Sequence, residues 1–445
     1  MSRPAGAIRR LRSDKRGAAA VMTALATSSL LGVVGLTVEV GNWYLMHRSM
    51  QIAADAAALA GSVTLDTTGS SASAVATAQS VATRNGFVDG VNGATVTVAP
   101  DPSSGNVAVT VQRASTAQLL QAAGFGDSTK TIVAQAVAQV VNAGAPPCVL
   151  TMSGSVAIGN NVDVTAGDCA LASNSTAANA FRVGSGGSVA NGSGHITAAN
   201  IVTHGGCQGC NEAMGTKLTL TRSPTPSTYA PPLVNAYAAL NNWSPPASVV
   251  SPSLCGAFPT QNNALRPLAV GCYTSFEVKN SSPVDLKPGV YYIRGGDLLV
   301  QGDLTCSTCT DSRGVSIVLV GAGAAAPGAV NITSQAKIDL NASLQPSQSA
   351  LDGVLIYRHN PGGTPSTTAN GDISILGGGN VRLDGAVVGP TSSLTMGGNG
   401  ATDPASCNVL VVASAELRGT SNLSVAGCGR YGTMTSVPRM ARLVQ

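Results

Sequence analysis

The chain has 445 residues, with 25 Lys and Arg against 21 Asp and Glu, a formal net charge of +4. Only 10% of residues are charged and 3% are aromatic, beside 52 Gly, whereas an average globular domain is about one-quarter charged. Abundant Val, Ile, Leu and Ala exclude simple disorder. Beyond residue 16 the chain holds 19 basic and 20 acidic residues, which excludes a basic face for nucleic acid.

Residues 1–16 form a basic tail: Arg3, Arg9, Arg10, Arg12, Lys15 and Arg16 face only Asp14. Residues 17–38 then carry no charge. As a helix this run spans about 33 Å, enough for a hydrocarbon core of about 30 Å. The tail is expected to stay cytoplasmic under the positive-inside rule, with the bulk of the chain exported. Trp43 and Tyr44 stand where interfacial aromatic anchors belong. Ala24, Ser28 and Gly32, spaced by four, present a small-residue face suited to a partner helix. Cleavage after Ala24-Leu25-Ala26 would leave an apolar core of only Ala18 to Leu25, so the helix is expected to remain as an anchor.

Residues 39–142 read as a small α+β module. Over residues 42–61, Leu45, Ile52, Ala56 and Leu59 share a helical face that Met46, Met50, Ala53, Ala57 and Ala60 widen. Arg48, Gln51 and Asp55 fall on the other side, and Gly61 is expected to end the helix. A second helix is expected near Ala72 to Arg84, stopped by Asn85-Gly86. The period then changes to two: Ala94–Val98 and Val107–Val111 alternate about the turn Asp101-Pro102-Ser103-Ser104-Gly105, a hairpin pattern. Leu119–Phe125 reads as a short helix and Thr131–Val141 as a third strand.

After Ala143-Gly144-Ala145-Pro146-Pro147 the texture shifts to short apolar pairs between Gly, Asn and Ser turns. Examples are Val156/Ile158, Val162/Val164, Leu298/Val300, Ile317/Leu319, Val330/Ile332, Ile338/Leu340, Ile373/Ile375, Val381/Leu383, Leu394/Met396 and Leu423/Val425. This pattern predicts an all-β domain, a β-solenoid of the right-handed parallel β-helix kind, with a β-sandwich as the alternative. Its expected parts are residues 148–221, a Pro-rich insertion at 222–262 with a short helix near Leu233 to Leu240, residues 263–430, and a tail at 431–445.

Ten cysteines, all after residue 147, read as disulfides in an exported chain. They are Cys148, Cys169, Cys207, Cys210, Cys255, Cys272, Cys306, Cys309, Cys407 and Cys428. Pairing of neighbours (Cys148 with Cys169, Cys255 with Cys272, Cys407 with Cys428) would close local loops. The two C-x-x-C pairs have the spacing of zinc or redox sites, but export into an oxidising space and their wide separation favour structural bridges. The four histidines, His47, His195, His204 and His359, form no H-E-x-x-H motif, and no G-x-S-x-G elbow occurs. The Gly377-Gly378-Gly379 run reads as a turn. Asp339, Asp352, Asp372 and Asp384, with Arg358 and Arg382, are the residues a polysaccharide-cleaving solenoid would use, but each Asp sits singly in a turn, where it caps backbone N–H groups. No catalytic, cofactor-binding or metal site is therefore expected.

The stretch Arg16 to Gly61, above all Val38-Glu39-Val40-Gly41 followed by Tyr44, Arg48, Gln51 and Ala53-Ala54-Asp55-Ala56-Ala57-Ala58-Leu59-Ala60-Gly61, resembles the N-terminal segment of TadG-like proteins of the Flp (tight-adherence) pilus system. The family often has Asp at the position of Glu39. Two features depart from it. The fifth residue after Gly17 is Met22, where TadE-type pseudopilins place Glu, and no Asp-x-Ser-x-Ser motif of a von Willebrand A domain is present. The resemblance implies a single-pass protein of the bacterial inner membrane with an extracytoplasmic bulk. Its role would be structural or interactive in pilus assembly or surface adherence. Ala24, Ser28, Gly32, Glu39, Trp43, Tyr44, Arg48 and Asp55 would serve anchoring and docking to other pilus-assembly or envelope proteins. A membrane-tethered carbohydrate-active enzyme and a glycan-binding adhesin are the alternatives.

Overall fold

The computed structural model describes residues 15–117, 119, 121, 129–142, 144–159, 161–184, 194–259, 266–345, 348–360, 362–365, 372–376, 381–397, 406–437 and 439–444. The Gly377–Gly379 run and most of the helix expected at Leu119–Phe125 lie outside them. Two compact units result, one of residues 1–141 with 441–445, the other of residues 142–440.

The first unit begins with one unbroken helix, α1 (Lys15–Thr68, 54 residues), followed by α2 (Ser71–Arg84). The Ser70 hydroxyl caps α2 by accepting the N–H of Ser73. The antiparallel strands β1 (Ala94–Asp101), β2 (Asn106–Thr116) and β3 (Thr129–Asn142) follow. The stretch 431–445, read above as a tail, contains a strand, Arg439–Leu443, that completes this sheet beside β3.

Gly61 does not end α1, which runs on to Thr68. A Cβ at Gly61 would stand 3.0 Å from Val107 Cγ1 and 3.3 Å from Ala78 Cβ, so the missing side chain is what lets α1 pass close to β2 and α2. The same logic selects the buried face. Met50, Ala53, Ala54, Ala57 and Ala58 are fully buried with Ala74, Ala78 and Ala82 of α2, whereas Leu45 and Ile52 stay exposed. Apart from Met50 and Leu65, the larger side chains of α1 therefore do not mark the core side. Small ones do, because close approach of α1 to its neighbours fills space that no long side chain could enter.

The second unit is a stack of coils. Strand pairs with strand in parallel, each coil contributing to three ladders. One runs Arg266–Leu268, Val284–Leu286, Asp303–Thr305, Lys337–Asn341 and the start of Val381–Gly397. A second runs Cys272–Tyr273, Gly289–Arg294, Val315–Val320, Val354–His359 and on through Val381–Gly397 to Asn408–Arg418. A third runs Phe276–Val278, Leu298–Val300, Val330–Ile332, Ile373–Ile375 and again Val381–Gly397. This successive parallel stacking is solenoid topology. A sandwich of antiparallel hairpins would pair sequence neighbours in opposite directions.

The stack is not in sequence order. Strand Asn408–Arg418 pairs with Pro147–Thr151 and Val156–Ile158, the first strands of the unit, so the first coil lies against one of the last. From there the coils run outward through Asp163–Ser173 and Ile196–Thr203 to Leu218–Leu220. The next coil in sequence begins with Arg266–Leu268 at the opposite end of the stack. The Pro-rich stretch 222–262 makes the return journey. Ser227 bridges Val202 at one end, and Gly256 bridges Tyr273 at the other. Between them Tyr237, Leu240 and Val249 are buried against Val290, Tyr292, Val318, Val320 and Tyr357 on the outside of the second ladder. The short helix expected at Leu233–Leu240 is a 3-10 turn at Ala238–Asn242. This strap shields the edge of the second ladder at both ends, where unpaired backbone would invite association with another strand.

Candidate functional site

Residues of α1 carry the features on which a membrane-linked function turns. The helix is long and apolar enough to cross a bilayer, and its most apolar window is unburied by the rest of the protein. Its described hydroxyls are satisfied within the helix: Thr23, Thr27, Ser29 and Thr37 each donate to the carbonyl four residues back, at 2.8–2.9 Å. A helix facing lipid needs this, because no water is present to take the hydrogen bond. Ala24 and Gly32 are exposed, and a Cβ on Gly32 would meet nothing within 4 Å. The Ser28 side chain lies outside the described residues.

The remaining residues expected to dock partners separate into two groups. Tyr44 and Arg48 are exposed, whereas Glu39 is only 6% exposed and Trp43 is half-buried. Trp43 packs against the core of the first unit, with Lys130 Nζ 5.2 Å from its ring centroid, a cation–π contact. Asp55 accepts a hydrogen bond from Gln51 Nε2 at 2.8 Å, and the same amide donates to the Gln135 carbonyl of β3 at 2.8 Å. The polar side of the helix thus leans on β3 at Gln51 instead of facing solvent throughout. Glu39 accepts the backbone N–H of Leu119 at 2.7 Å, a contact between residues eighty apart that the pattern did not suggest.

Residues 17–81 match the family model described as putative Flp pilus-assembly TadE/G-like. The first helices of this chain are similar to that pilus-assembly module. No curated protein and no solved structure matches the chain. The matched residues cover the whole uncharged run and continue through most of α2, so the similarity falls on the candidate membrane span together with the helical part of the module.

In the solenoid unit all ten cysteines are paired: Cys148–Cys169, Cys207–Cys210, Cys255–Cys272, Cys306–Cys309 and Cys407–Cys428. Cys148–Cys169 joins adjacent coils inside the core, and Cys255–Cys272 ties the end of the strap to the stack. Both C-x-x-C motifs are closed as bridges. Among the described residues no group of three or more His, Cys, Asp or Glu side chains comes together as a metal site would require.

Two of the four aspartates singled out in the sequence, Asp372 and Asp384, are joints between coils. Asp372 accepts the N–H of Ser393 at 3.0 Å and Asp384 that of Cys407 at 2.9 Å, each on the neighbouring coil. Asp163, Asp285 and Asp297, which sequence reasoning passed over, do the same for His195, Ser307 and Ala329 at 2.7–2.8 Å. Their signal was available: each stands one or two positions from an apolar strand pair. Asp384 is wholly buried and also accepts from Arg382 Nε at 2.7 Å and the Tyr431 hydroxyl at 3.2 Å. Asp339, 67% exposed, lies 3.8 Å from the same Arg382, and Asp352 accepts the N–H of Gln345 at 2.6 Å. Arg358, 6% exposed, donates to the carbonyls of Gly328 and Pro327 and to Ser392, beside Asp372 at 3.4 Å. Burial pushes its pKa down, against the pull of Asp372 and Asp297.

Clefts open on the solenoid, two of them lined by described residues that carry polar groups. The larger, about 630 Å³, lies between the strap at Pro245 and Val249 and the turns bearing Arg294, Pro327, His359 and Asn360. Its described lining holds no carboxylate. Beneath it His359, 7% exposed, stands edge-on to Trp243 at 5.0 Å, and burial lowers its pKa. The Tyr357 hydroxyl donates to the Leu240 carbonyl at 2.9 Å. Its single hydrogen is thereby committed, so His359 Nδ1, 2.9 Å away, is the donor to the phenol oxygen. The smaller cleft, about 280 Å³, is lined by serines, Asn179, Arg182 and Glu416, whose carboxylate is held by Arg418. His204 uses its ring to reach the Ala230 carbonyl at 2.7 Å, on the strap.

Proposed function

We propose that this is a bacterial envelope protein that works without catalysis. One helix fixes it in the inner membrane with its basic end in the cytoplasm, and its disulfide-bearing solenoid is held outside as a structural or interaction element of Flp-type pilus assembly or of surface adherence. The observation that carries this reading is the match of residues 17–81 to the TadE/G-like model on one helix that passes without a break from the uncharged run into the core of a folded module. A cleavable leader would be expected to end in a flexible break, whereas here the alanine face continues the same helix into the core. The paired cysteines fit an oxidising compartment.

The carboxylates speak for a structural role. Of those that could have served glycoside cleavage, Asp372 and Asp384 hold coil to coil, and the described lining of the larger cleft holds no pair of acidic groups about 5–10 Å apart of the kind such chemistry uses. Glycan binding by the polar clefts is a finer possibility of the same interaction role and is tested by exposing residues 148–430 to a glycan array.

The decisive experiment replaces residues 17–38 with a cleavable export signal in the native host. The expected result is a released, folded, disulfide-bonded protein and loss of pilus-dependent adherence. Adherence that survives on the released protein overturns the anchoring role. Protease added to spheroplasts should digest the solenoid, and its protection would overturn the outward orientation.

A further inference from the structure

We infer that the protein touches the bilayer at a second place, at Leu119 just after β2, whose side chain enters the lipid beside the anchor helix. The inference rests on the membrane reading of α1 and adds to it a second element. Leu119 is 46% exposed, yet its Cβ lies 3.7 Å from where a Cβ of Gly35 would stand, with its Cδ1 at 4.0 Å. Gly35 belongs to the uncharged run 17–38, three residues before its end. At 1.5 Å per residue this is a depth of about 4–5 Å below the last apolar residue of the run. A side chain resting on Gly35 therefore stands at the level where acyl chains meet headgroups, the depth at which interfacial helices bury their apolar side chains.

The backbone chemistry agrees. Leu119 stands at the start of a helical turn, with Gln121 N–H bonded to the Ala117 carbonyl at 3.0 Å. First-turn N–H groups have no partner within a helix. Left bare at the edge of the hydrocarbon, such a donor costs several kcal/mol, by the order of magnitude for unsatisfied groups in lipid. Glu39 supplies the missing acceptor at 2.7 Å and is itself covered to 6% exposure. The acidic residue that closes the apolar run thus does two things: it marks the upper limit of the span and it satisfies the donor of the second element. Ala117, wholly buried, ties the turn to the folded module. The ligand class is the boundary of a phospholipid bilayer, with acyl chain against Leu119.

The test uses the full-length protein in liposomes of a phospholipid that carries a diazirine on its acyl chain. After illumination, trypsin releases Gly17–Arg48, which contains the span, Ala114–Lys130, which contains the turn, and Asn85–Arg113, which contains the hairpin tip and serves as control. Mass spectrometry is expected to find lipid adducts on Gly17–Arg48 and on Ala114–Lys130, the latter at roughly tenfold the control level, as expected for a side chain at acyl depth. A Leu119→Glu variant should lose the adducts on Ala114–Lys130 while keeping those on the span. Adducts confined to Gly17–Arg48 overturn this inference and leave the anchor standing. Adducts on neither peptide overturn the anchor reading and this inference with it.

Discussion

The two units solve the same problem with opposite materials. The first packs Ala53, Ala54, Ala57 and Ala58 of α1 against Ala74, Ala78 and Ala82 of α2, with Gly61 at the closest point. The second fills the bore of each coil with Val, Ile, Leu and Phe side chains from strands such as Phe276–Val278 and Leu298–Val300, which bury their first and last residues. Alanine buries little area per residue, so the helical contact gains from proximity and dispersion, and tolerates no added volume. The coils gain from area, at about 25 cal/mol per Å², and are further held by disulfides and by aspartates that clasp the next coil. Shape is therefore the sensitive quantity in one unit and volume in the other.

The comparison can be broken at several points, read by hydrogen exchange, which reports each unit separately. The largest effect is expected from Phe276→Ala. This wholly buried ring packs 4.6 Å from Phe258 and 6.4 Å from Tyr291. Its loss should cost about 3–5 kcal/mol and raise exchange in the coils nearest Arg266–Leu268, with the first unit unchanged. Replacing Cys148 and Cys169 together by Ala should cost on the order of 3 kcal/mol, read as a lowered denaturant midpoint of the solenoid. Gly61→Leu in the first unit should cost about 1–3 kcal/mol through overpacking, seen as faster exchange in α2 while the solenoid keeps its protection. If Gly61→Leu proves neutral, the close-approach account of that helix is wrong.

A smaller effect should follow from pH. Burial lowers the pKa of His359 below its ordinary value near 6.5. Its neutral form therefore contributes stability that is fully present above that value and is lost as pH falls toward the lowered one. The strap over Trp243 should loosen on acidification, and a His359→Phe variant should flatten that dependence in a thermal-melt series between pH 7 and 5. The smallest effect is expected at the surface: Arg48→Ala should stay within about 0.5 kcal/mol in stability, so any loss of adherence it causes would report a lost partner contact.

How much of this was legible in the sequence depended on whether the determining pattern was local. The span, the hairpin about Asp101 and the helix near Arg84 were readable because charge absence, period and turn residues act within a few positions. The strand pairs were readable for the same reason, and all but Leu423/Val425, which follows the strand Thr420–Asn422, lie within strands or at their edges. The coil repeat was hidden because coil length varies: Val149 pairs with Leu171, 22 residues on, whereas Ile317 pairs with Ile356, 39 residues on. The return of the strap depends on contacts such as that of the Tyr357 hydroxyl with the Leu240 carbonyl, 117 residues apart, and the joining of first coil to late coil on contacts more than two hundred residues apart, such as Asp168 accepting from Ser424 at 2.7 Å. Glu39 was legible as a family position but not as the partner of Leu119, because nothing near either residue announces the other. The helix face was legible in part: Met50, Ala53 and Ala57 of the expected face are buried, whereas Leu45 and Ile52 are exposed and Ala54 and Ala58 take their place in the core, because closeness of approach decides it.

The seam between strand Asn408–Arg418 and strand Pro147–Thr151 has a consequence for how the molecule is born. On the topology proposed above, the segments that follow the anchor cross in chain order, and Pro147–Thr151 is delivered long before its neighbour. Until residue 412 has crossed, that strand keeps a bare row of backbone donors and acceptors on one side. The growing solenoid is thus a helical staircase whose first step waits for its last, and the interval is the period in which a chaperone, or another strand, could take the vacant place.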